Sequence, residues 1–283
     1  MPTSGGANSR VPELPETETI ARDLDASLRG VRIERVTAPH PDVLREGGLR
    51  TMATRCGHAT FVRAWRRAKL VVLDLDVGDR VVVQPRFTGA LLLDPTPDLD
   101  DAYVAVRWQL SGGRWLVYRD VRRLGTVTLM SSDRWASYES ALGSEPLDER
   151  FDGAALAVRL RGSRRAIKVV LMDQRAVAGI GNIYATEALW AAGVDPSRAA
   201  ASLGAAECEA LGGSLRRILT ASIAARGTTF RDYRDAKGGR GAYAAQLQAY
   251  GRAGQPCTRC GARLAGTMAI DGRTTVFCAW CQR

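Results

Sequence analysis

Between Glu16 and Gly30 apolar residues return every fourth position, at Ile20, Leu24 and Leu28. That period predicts an amphipathic helix. Glu16 and Glu18 fall in its first turn, where the helix dipole favours anions, and Gly30 is placed to close it. From residue 31 to 130 the texture changes. The segments "LVVLDLD", "DRVVVQ", "GALLLD" and "AYVAVRWQL" are short, rich in β-branched residues and bounded by turn formers, so they read as strands. "WQLSGGRWLVYRD" predicts a hairpin around Ser111, Gly112 and Gly113. One helix followed by many strands predicts a β-sandwich or barrel with a helix against it.

The pattern changes again near residue 140. "LGSEPLDERFDG" reads as a linker, and residues 153 to 226 are helical in period. Leu211, Leu215, Ile218, Leu219 and Ile223 make one apolar stripe. Ser202 is the expected N-cap of that helix, with Ala205 rather than a capping-box glutamate three positions on. "TTFRDYRDAKGGRGAY" is rich in glycine and charge and reads as a mobile loop. Residues 251–283 are too few to build a core alone, and a metal would compensate.

Composition narrows the chemistry. The chain has 283 residues, 46% of them apolar, and a net charge of +10 spread along its length. That balance favours a polyanionic partner, nucleic acid first and anionic membrane second. No apolar run is long enough for a transmembrane helix, and the first eleven residues carry no apolar signal core, so a cytoplasmic protein is expected. The two histidines, His40 and His58, sit in no recognisable motif, which argues against a His-metal nuclease. Four of the six cysteines form two C-x-x-C pairs, Cys257/Cys260 and Cys278/Cys281, seventeen residues apart. Four thiolates on two tight turns suit one tetrahedral structural Zn²⁺, with no open position for catalysis.

Taken in order, "PELPETE", "RRAK", "RDVRRLG", "GIGNIYATEAL", "RGTTFRDY", "LQAYGRAGQPC" and the terminal cysteine pairs resemble the formamidopyrimidine-DNA glycosylase family over residues 12–283. "PELPE" and "GIGNIYA" resemble this branch more than its sister, the endonuclease VIII type. The resemblance implies an α+β fold. A β-sandwich with flanking helix spans 12–140, a helix–two-turns–helix DNA-binding domain 141–250, and a four-cysteine zinc finger 251–283. Residues 1–11 are left as an extension. It implies a monomeric bacterial enzyme, cytoplasmic and associated with the nucleoid through DNA. Its substrate would be duplex DNA carrying oxidised bases or abasic sites, and it would remove oxidised purines and then cut the strand.

The residue roles implied are specific. Pro12 matches the N-terminal proline whose amine attacks C1′ and forms a Schiff base. Glu13 matches the acid that protonates the sugar ring oxygen, and Glu16 a supporting charge. Lys69 and Asn182 match phosphate contacts, with Gly179 and Gly181 expected to let the backbone approach DNA. Arg273 matches the finger arginine that clamps phosphates beside the flipped nucleotide. Arg122, Phe87 and Leu124 fall where the family fills the hole left by the extruded base, with the aromatic and aliphatic wedges exchanged. In that segment, "QPRFTG", Gln84 replaces a histidine and Arg86 a glycine. The lesion-reading loop is expected within 233–243, with Lys237 and Arg240 both open as its contact. "RGSRRAIK" is expected to form a basic face along DNA.

One feature conflicts with that chemistry. Pro12 is the twelfth residue, and the nitrogen of an internal proline is an amide whose lone pair is delocalised. It cannot act while Val11 is attached. The expected explanation is initiation at residue 11 followed by trimming of the first residue. The alternative is a genuine tail, removed later or kept in a damaged-DNA-binding protein without covalent chemistry. An endonuclease VIII-type enzyme for oxidised pyrimidines is the third reading.

Overall fold

The computed structural model describes residues 11–95 and 101–283. Of the extension expected at 1–11, residues 1–10 lie outside the described residues. Helix α1, Leu14–Leu28, begins with a reciprocal cap in which the Glu16 carboxylate accepts the Glu13 N–H at 2.9 Å. Ile20, Leu24 and Leu28 are fully buried, as their period requires. The helix stops at Leu28, and Gly30 takes a positive φ just beyond it.

Two sheets follow. One runs in the order β1 (Ile33–Thr37), β7 (Val104–Leu110), β8 (Arg114–Asp120), β6 (Gly89–Leu93), all antiparallel. The other runs β2 (Leu44–Arg45), β9 (Thr126–Met130), β5 (Arg80–Gln84), β4 (Leu70–Leu75), β3 (Phe61–Arg67). Leu73, Val81 and Val83 of the second sheet share a core with Val106, Trp108 and Tyr118 of the first, which makes a sandwich. Val72 and Val82, pointing the other way, are covered by Trp135 of α3 (Ser132–Ser140). Burial on both faces explains why "LVVLDL" is almost continuously apolar rather than alternating. The β7–β8 hairpin turns at Ser111–Gly113, with both glycines at positive φ, as the sequence predicts. Helix α2, Gly48–Cys56, stands where only strands were expected. It buries just Met52 and Cys56, too few apolar positions to show a period.

The helical module comprises α4 (Gly153–Leu160), α5 (Ile167–Met172), α6 (Asn182–Ala192) and α7 (Ala205–Ala224). Leu211, Leu215, Ile218 and Leu219 are buried along α7, with Ile223 packed partly against the same core. Ser202 does not cap this helix. It lies in a preceding 3₁₀ turn and its hydroxyl donates to the Ala199 carbonyl at 2.8 Å. Gly204 is the cap, and Glu207 accepts its N–H at 2.8 Å. Helix α6 is buried nearly all round and is the centre of the module. The last module, with β10 (Ala265–Thr267) and β11 (Thr275–Phe277), packs on the C-terminal end of α6 through Trp190.

Helix α1 joins the two larger modules. Its first residue, Leu14, belongs to the helical core, whereas Ile20, Leu24 and Leu28 belong to the sandwich core. Each such leucine contributes about 2 kcal/mol by burial, so both cores hold the helix. The "PELPE" segment is thereby fixed in the seam between them.

Candidate DNA-lesion site

The seam holds a pocket of about 510 Å³ lined in part by Val11, Glu13, Lys69, Arg86, Phe87 and Asn182, with Arg273 on its rim. Residues from three modules therefore meet where α1 starts. Pro12 is buried immediately before Glu13, and Val11, which acylates it, lines the pocket.

Glu13 is fully enclosed. Its carboxylate accepts the Gly181 N–H at 2.7 Å and the Ile183 N–H at 3.0 Å, with the Tyr184 N–H at 3.5 Å. These are free donors at the N-terminus of α6, so Glu13 serves as that helix's anionic cap across the seam. Burial pushes its carboxyl above the ordinary range, against the opposing pull of Lys69 and the three amides. Gly179 and Gly181 have a neighbour the sequence did not suggest. A side chain on Gly179 would meet Leu14 at 2.7 Å, and one on Gly181 would meet the Glu13 carboxyl carbon at 2.5 Å and Lys69 Nζ at 2.7 Å. Gly179 also accepts the Leu14 N–H at 3.0 Å. The glycines let this loop lie against the "PELPE" segment.

Glu16 is more than a helix-end charge. It is buried, and besides the Glu13 N–H it accepts the Thr228 N–H at 2.7 Å and the Tyr184 hydroxyl at 2.6 Å. Burial pushes its carboxyl up to about 7, with Tyr184 opposing and the Glu13 charge adding. The folded protein thus keeps a proton that the unfolded chain releases near 4.5. The stability this confers is complete below about pH 4.5 and is lost as pH rises to about 7, a change of about 3 kcal/mol. Replacing Glu16 by Gln removes the titration. The melting temperature of Glu16→Gln relative to the parent chain is expected to rise between pH 5 and pH 8. A difference independent of pH would show that Glu16 does not titrate there.

Lys69 leads directly into β4, which begins at Leu70. It occupies the two-residue turn between β3 and β4, after Ala68 at φ 54°. Burial holds its ammonium below the ordinary range, Glu13 opposes this and Arg273 adds to it. The turn is anchored by a residue that the sequence reading passed over as linker, Glu145. It pairs with Arg66 at 2.7 Å and Arg67 at 2.8 Å, and accepts the Ala68 N–H at 2.7 Å.

Asn182 opens α6, and its Nδ2 donates to the Thr274 carbonyl at 3.1 Å, which ties the β10–β11 hairpin to the pocket. Arg273 is exposed beside it. The hairpin is held from below by Lys168, fully buried, whose Nζ reaches Thr275 Oγ1 at 2.7 Å and Asp271 at 3.2 Å. Asp271 in turn accepts the Arg273 N–H at 3.1 Å. In "RGSRRAIK", then, the last residue is an internal anchor and not part of a basic face.

Phe87, Arg122 and Leu124, expected to fill the hole left by an extruded base, lie on two adjoining loops. The Arg122 guanidinium stacks over the Phe87 ring at 5.0 Å, and Leu124 is exposed nearby in sequence. Buried Asp120, unmarked in the sequence reading, joins the loops. It accepts from the Thr88 hydroxyl, the Arg122 N–H at 3.2 Å, the Gly125 N–H at 2.8 Å and Tyr118 at 3.2 Å.

The expected mobile loop after α7 contains neither helix nor strand over 229–242, but its root is tied. Asp235 receives the Arg226 guanidinium and the N–H groups of Lys237 and Gly239. Lys237 and Arg240 are both exposed and neither lines the pocket.

At the far end, Cys257, Cys260, Cys278 and Cys281 bring their sulfurs within 4.8 Å of one another. This all-thiol set can hold one metal ion. Arg259, between two of the cysteines, donates to the Trp190 and Ala191 carbonyls and stacks on Trp190 at 4.1 Å.

A buried carboxylate beside Lys69 and Arg273, set between a sandwich and a helical module, is a site suited to acid–base chemistry on a polyanion. Comparison with known proteins specifies the family. Residues 11–127 match the formamidopyrimidine-DNA glycosylase N-terminal domain and residues 142–234 the formamidopyrimidine-DNA glycosylase H2TH domain. The chain is 43% identical to the formamidopyrimidine-DNA glycosylase of Moorella thermoacetica, over 89% of this chain and 92% of that one. It is 39% identical to that of a Roseiflexus species, over 96% and 100%. A structure of the wild-type Lactococcus lactis Fpg with DNA containing N7-benzyl-Fapy-dG superposes with a TM-score of 0.88 at 31% identity, covering 96% of this chain and 100% of that one. A complex of the same enzyme with DNA containing an abasic site gives 0.88 at 32%, covering 96% and 99%. This chain belongs to the formamidopyrimidine-DNA glycosylase family. Among the described residues no helix is long and apolar enough to cross a membrane.

Proposed function

We propose that this protein removes oxidised purines, 8-oxoguanine and formamidopyrimidines, from duplex DNA and then cuts the strand at the abasic site. The carrying observation is that one pocket at the start of α1 gathers Glu13, Lys69, Asn182 and Arg273. The Pro12 nitrogen, once a free amine, bonds to C1′ as the bond to the base breaks; the base leaves with that electron pair and takes up the proton that the amine gives up. Glu13 gives a proton to the sugar ring oxygen, the C1′–O bond breaks, and the nitrogen lone pair completes the C1′=N⁺ bond of the Schiff base. Loss of a C2′ proton to solvent then expels the 3′ phosphate with the C3′–O electron pair. Lys69, Asn182 and Arg273 hold the flanking phosphates. Phe87, Arg122 and Leu124 fill the space of the extruded base. Glu16 fixes the backbone of Glu13. The four cysteines bind one structural Zn²⁺, whose tetrahedral sulfurs stand roughly 3.8 Å apart at Zn–S distances of about 2.3 Å. That spacing suits the observed cluster. The Lactococcus lactis complexes with Fapy-dG and abasic DNA support the same substrate class for this chain.

A second reading, a lesion-binding protein without covalent chemistry, draws on Val11 in the pocket and the amide at Pro12. Base release from matched duplexes containing 8-oxoguanine or thymine glycol separates the readings. At least about a tenfold faster release of 8-oxoguanine is expected. The reverse order would favour the endonuclease VIII type. Tight binding with no release of either base would favour the binding protein.

A further inference from the structure

Trp190 is the last of the buried residues of α6, with 7% of its surface exposed. Its indole Nε1 is buried and completes no hydrogen bond with an oxygen or nitrogen of the described residues. Such donors are rare, and an acceptor created by a bound ion is one way to satisfy them. Trp65 and Trp108 share the condition, but Trp190 alone of the three packs against the finger cysteines, in one small core with Cys257 and Cys278. Three N–H groups are directed at the Cys257 sulfur, the backbone groups of Arg259 and Cys260 and the Trp190 indole. The ring is held in place there. Arg259 stacks on it at 4.1 Å and donates to the Trp190 carbonyl at 2.8 Å and the Ala191 carbonyl at 2.6 Å, closing the last turn of α6. An S–H accepts hydrogen bonds weakly, whereas a thiolate on a metal accepts them strongly. The indole thus gains a strong acceptor only when the four cysteines hold an ion.

We infer that the Trp190 indole N–H donates to the metal-bound Cys257 thiolate and so helps this chain retain its metal ion. The donor comes from outside the finger, from the helix whose other end, Asn182, lines the lesion pocket. Four thiolates around one divalent ion leave an excess of negative charge, and a donor of this kind disperses it and fixes the direction of the ligand sulfur. Metal affinity at the finger is therefore tied to the packing of α6. The inference rests on the reading of the four cysteines as one metal site.

The test loads the full chain with Zn²⁺, measures its metal content, and times transfer of the ion to a chelator for the parent and Trp190→Phe. Phenylalanine keeps a ring under Arg259 and lacks the donor. The variant is expected to bind the ion roughly tenfold more weakly and to lose it correspondingly faster. The same pair loaded with Co²⁺ reads the sulfur itself. Removing a donor raises the energy of the thiolate lone pairs, so the sulfur-to-cobalt charge-transfer band should move to longer wavelength in Trp190→Phe. Faster loss with an unshifted band would assign the effect to packing and overturn the hydrogen bond. Equal loss from the two chains, with an ion bound to the parent, would overturn the role of Trp190 alone. A parent chain that binds no ion would overturn the metal site, and this inference with it. Should the variant not fold, the parent loaded with a magnetically active cadmium isotope decides. Its Trp190 indole proton should be split by coupling to the metal through the sulfur, and an unsplit line would overturn the proposal.

Discussion

A chain whose first residue is Pro12 is expected to be trapped on an 8-oxoguanine duplex by borohydride, while the 283-residue chain yields only background adduct. The reason is the nitrogen. A free α-amine has a pKa of about 8 and keeps a neutral fraction at physiological pH, whereas the amide made by Val11 has no available lone pair. The structure shows that little else would have to change. Glu13 is fixed by its N–H bond to Glu16 and Leu14 by its N–H bond to Gly179, which holds Pro12 between two pocket-lining neighbours, Val11 and Glu13. Val11 occupies the pocket wall, and its removal clears the approach as well as freeing the amine. Intact mass confirms that the short form is trimmed, and acetylation of its terminus should abolish trapping. Equal trapping by an untrimmed long form would mean that another amine reacts. Lys69 is then the first suspect, because burial already holds its ammonium below the ordinary range.

Much of this site was legible because motif residues lie at chain positions where local rules also apply. Ile20, Leu24 and Leu28 announce α1 by period, the paired cysteines announce a four-thiol cluster by spacing, and Gly112–Gly113 announce a turn. What stayed hidden depends on tertiary contacts. Glu145 looks like one more acid in a linker until β3 and β4 fold against it. Lys168 looks like part of a solvated basic run, and only the packing of the finger hairpin on α5 gives it Asp271 and Thr275. Asp120 is one polar residue at a strand end until two loops converge on it. The capping of α7 failed for a local reason. Ser202 satisfies its hydroxyl within its own 3₁₀ turn, leaving Gly204 and Glu207 to start the helix. Gly179 and Gly181 have a tertiary role that no local rule shows, since the backbone they free approaches Leu14 and Glu13.

Glu13→Gln, in the proline-terminated form, is expected to slow release of 8-oxoguanine by on the order of 10²- to 10⁴-fold. Adduct formation on a pre-made abasic site should fall far less. The two substrates differ in what they ask of the carboxyl. The intact nucleotide needs its closed sugar ring protonated as the base departs, while the abasic sugar already samples an open aldehyde. Glu13 suits the acid role because burial raises its pKa, so the protonated form survives to higher pH than in a free glutamate, and release should decline as pH rises through that value. The structure also supplies the rival explanation. Glu13 caps α6, and glutamine can accept there with only one oxygen, which costs about 1–3 kcal/mol in stability. A pure capping role predicts a lower melting temperature together with equal loss on both substrates, because Asn182 would shift with the start of α6 and Lys69 would lose the Glu13 charge beside it. An acid role predicts the split between substrates at a temperature where both proteins are folded. Loss on the lesion alone, steepest on the alkaline side in the parent and flat with pH in Glu13→Gln, would assign the proton to Glu13. Equal loss on both substrates would leave it as the cap that holds the seam together.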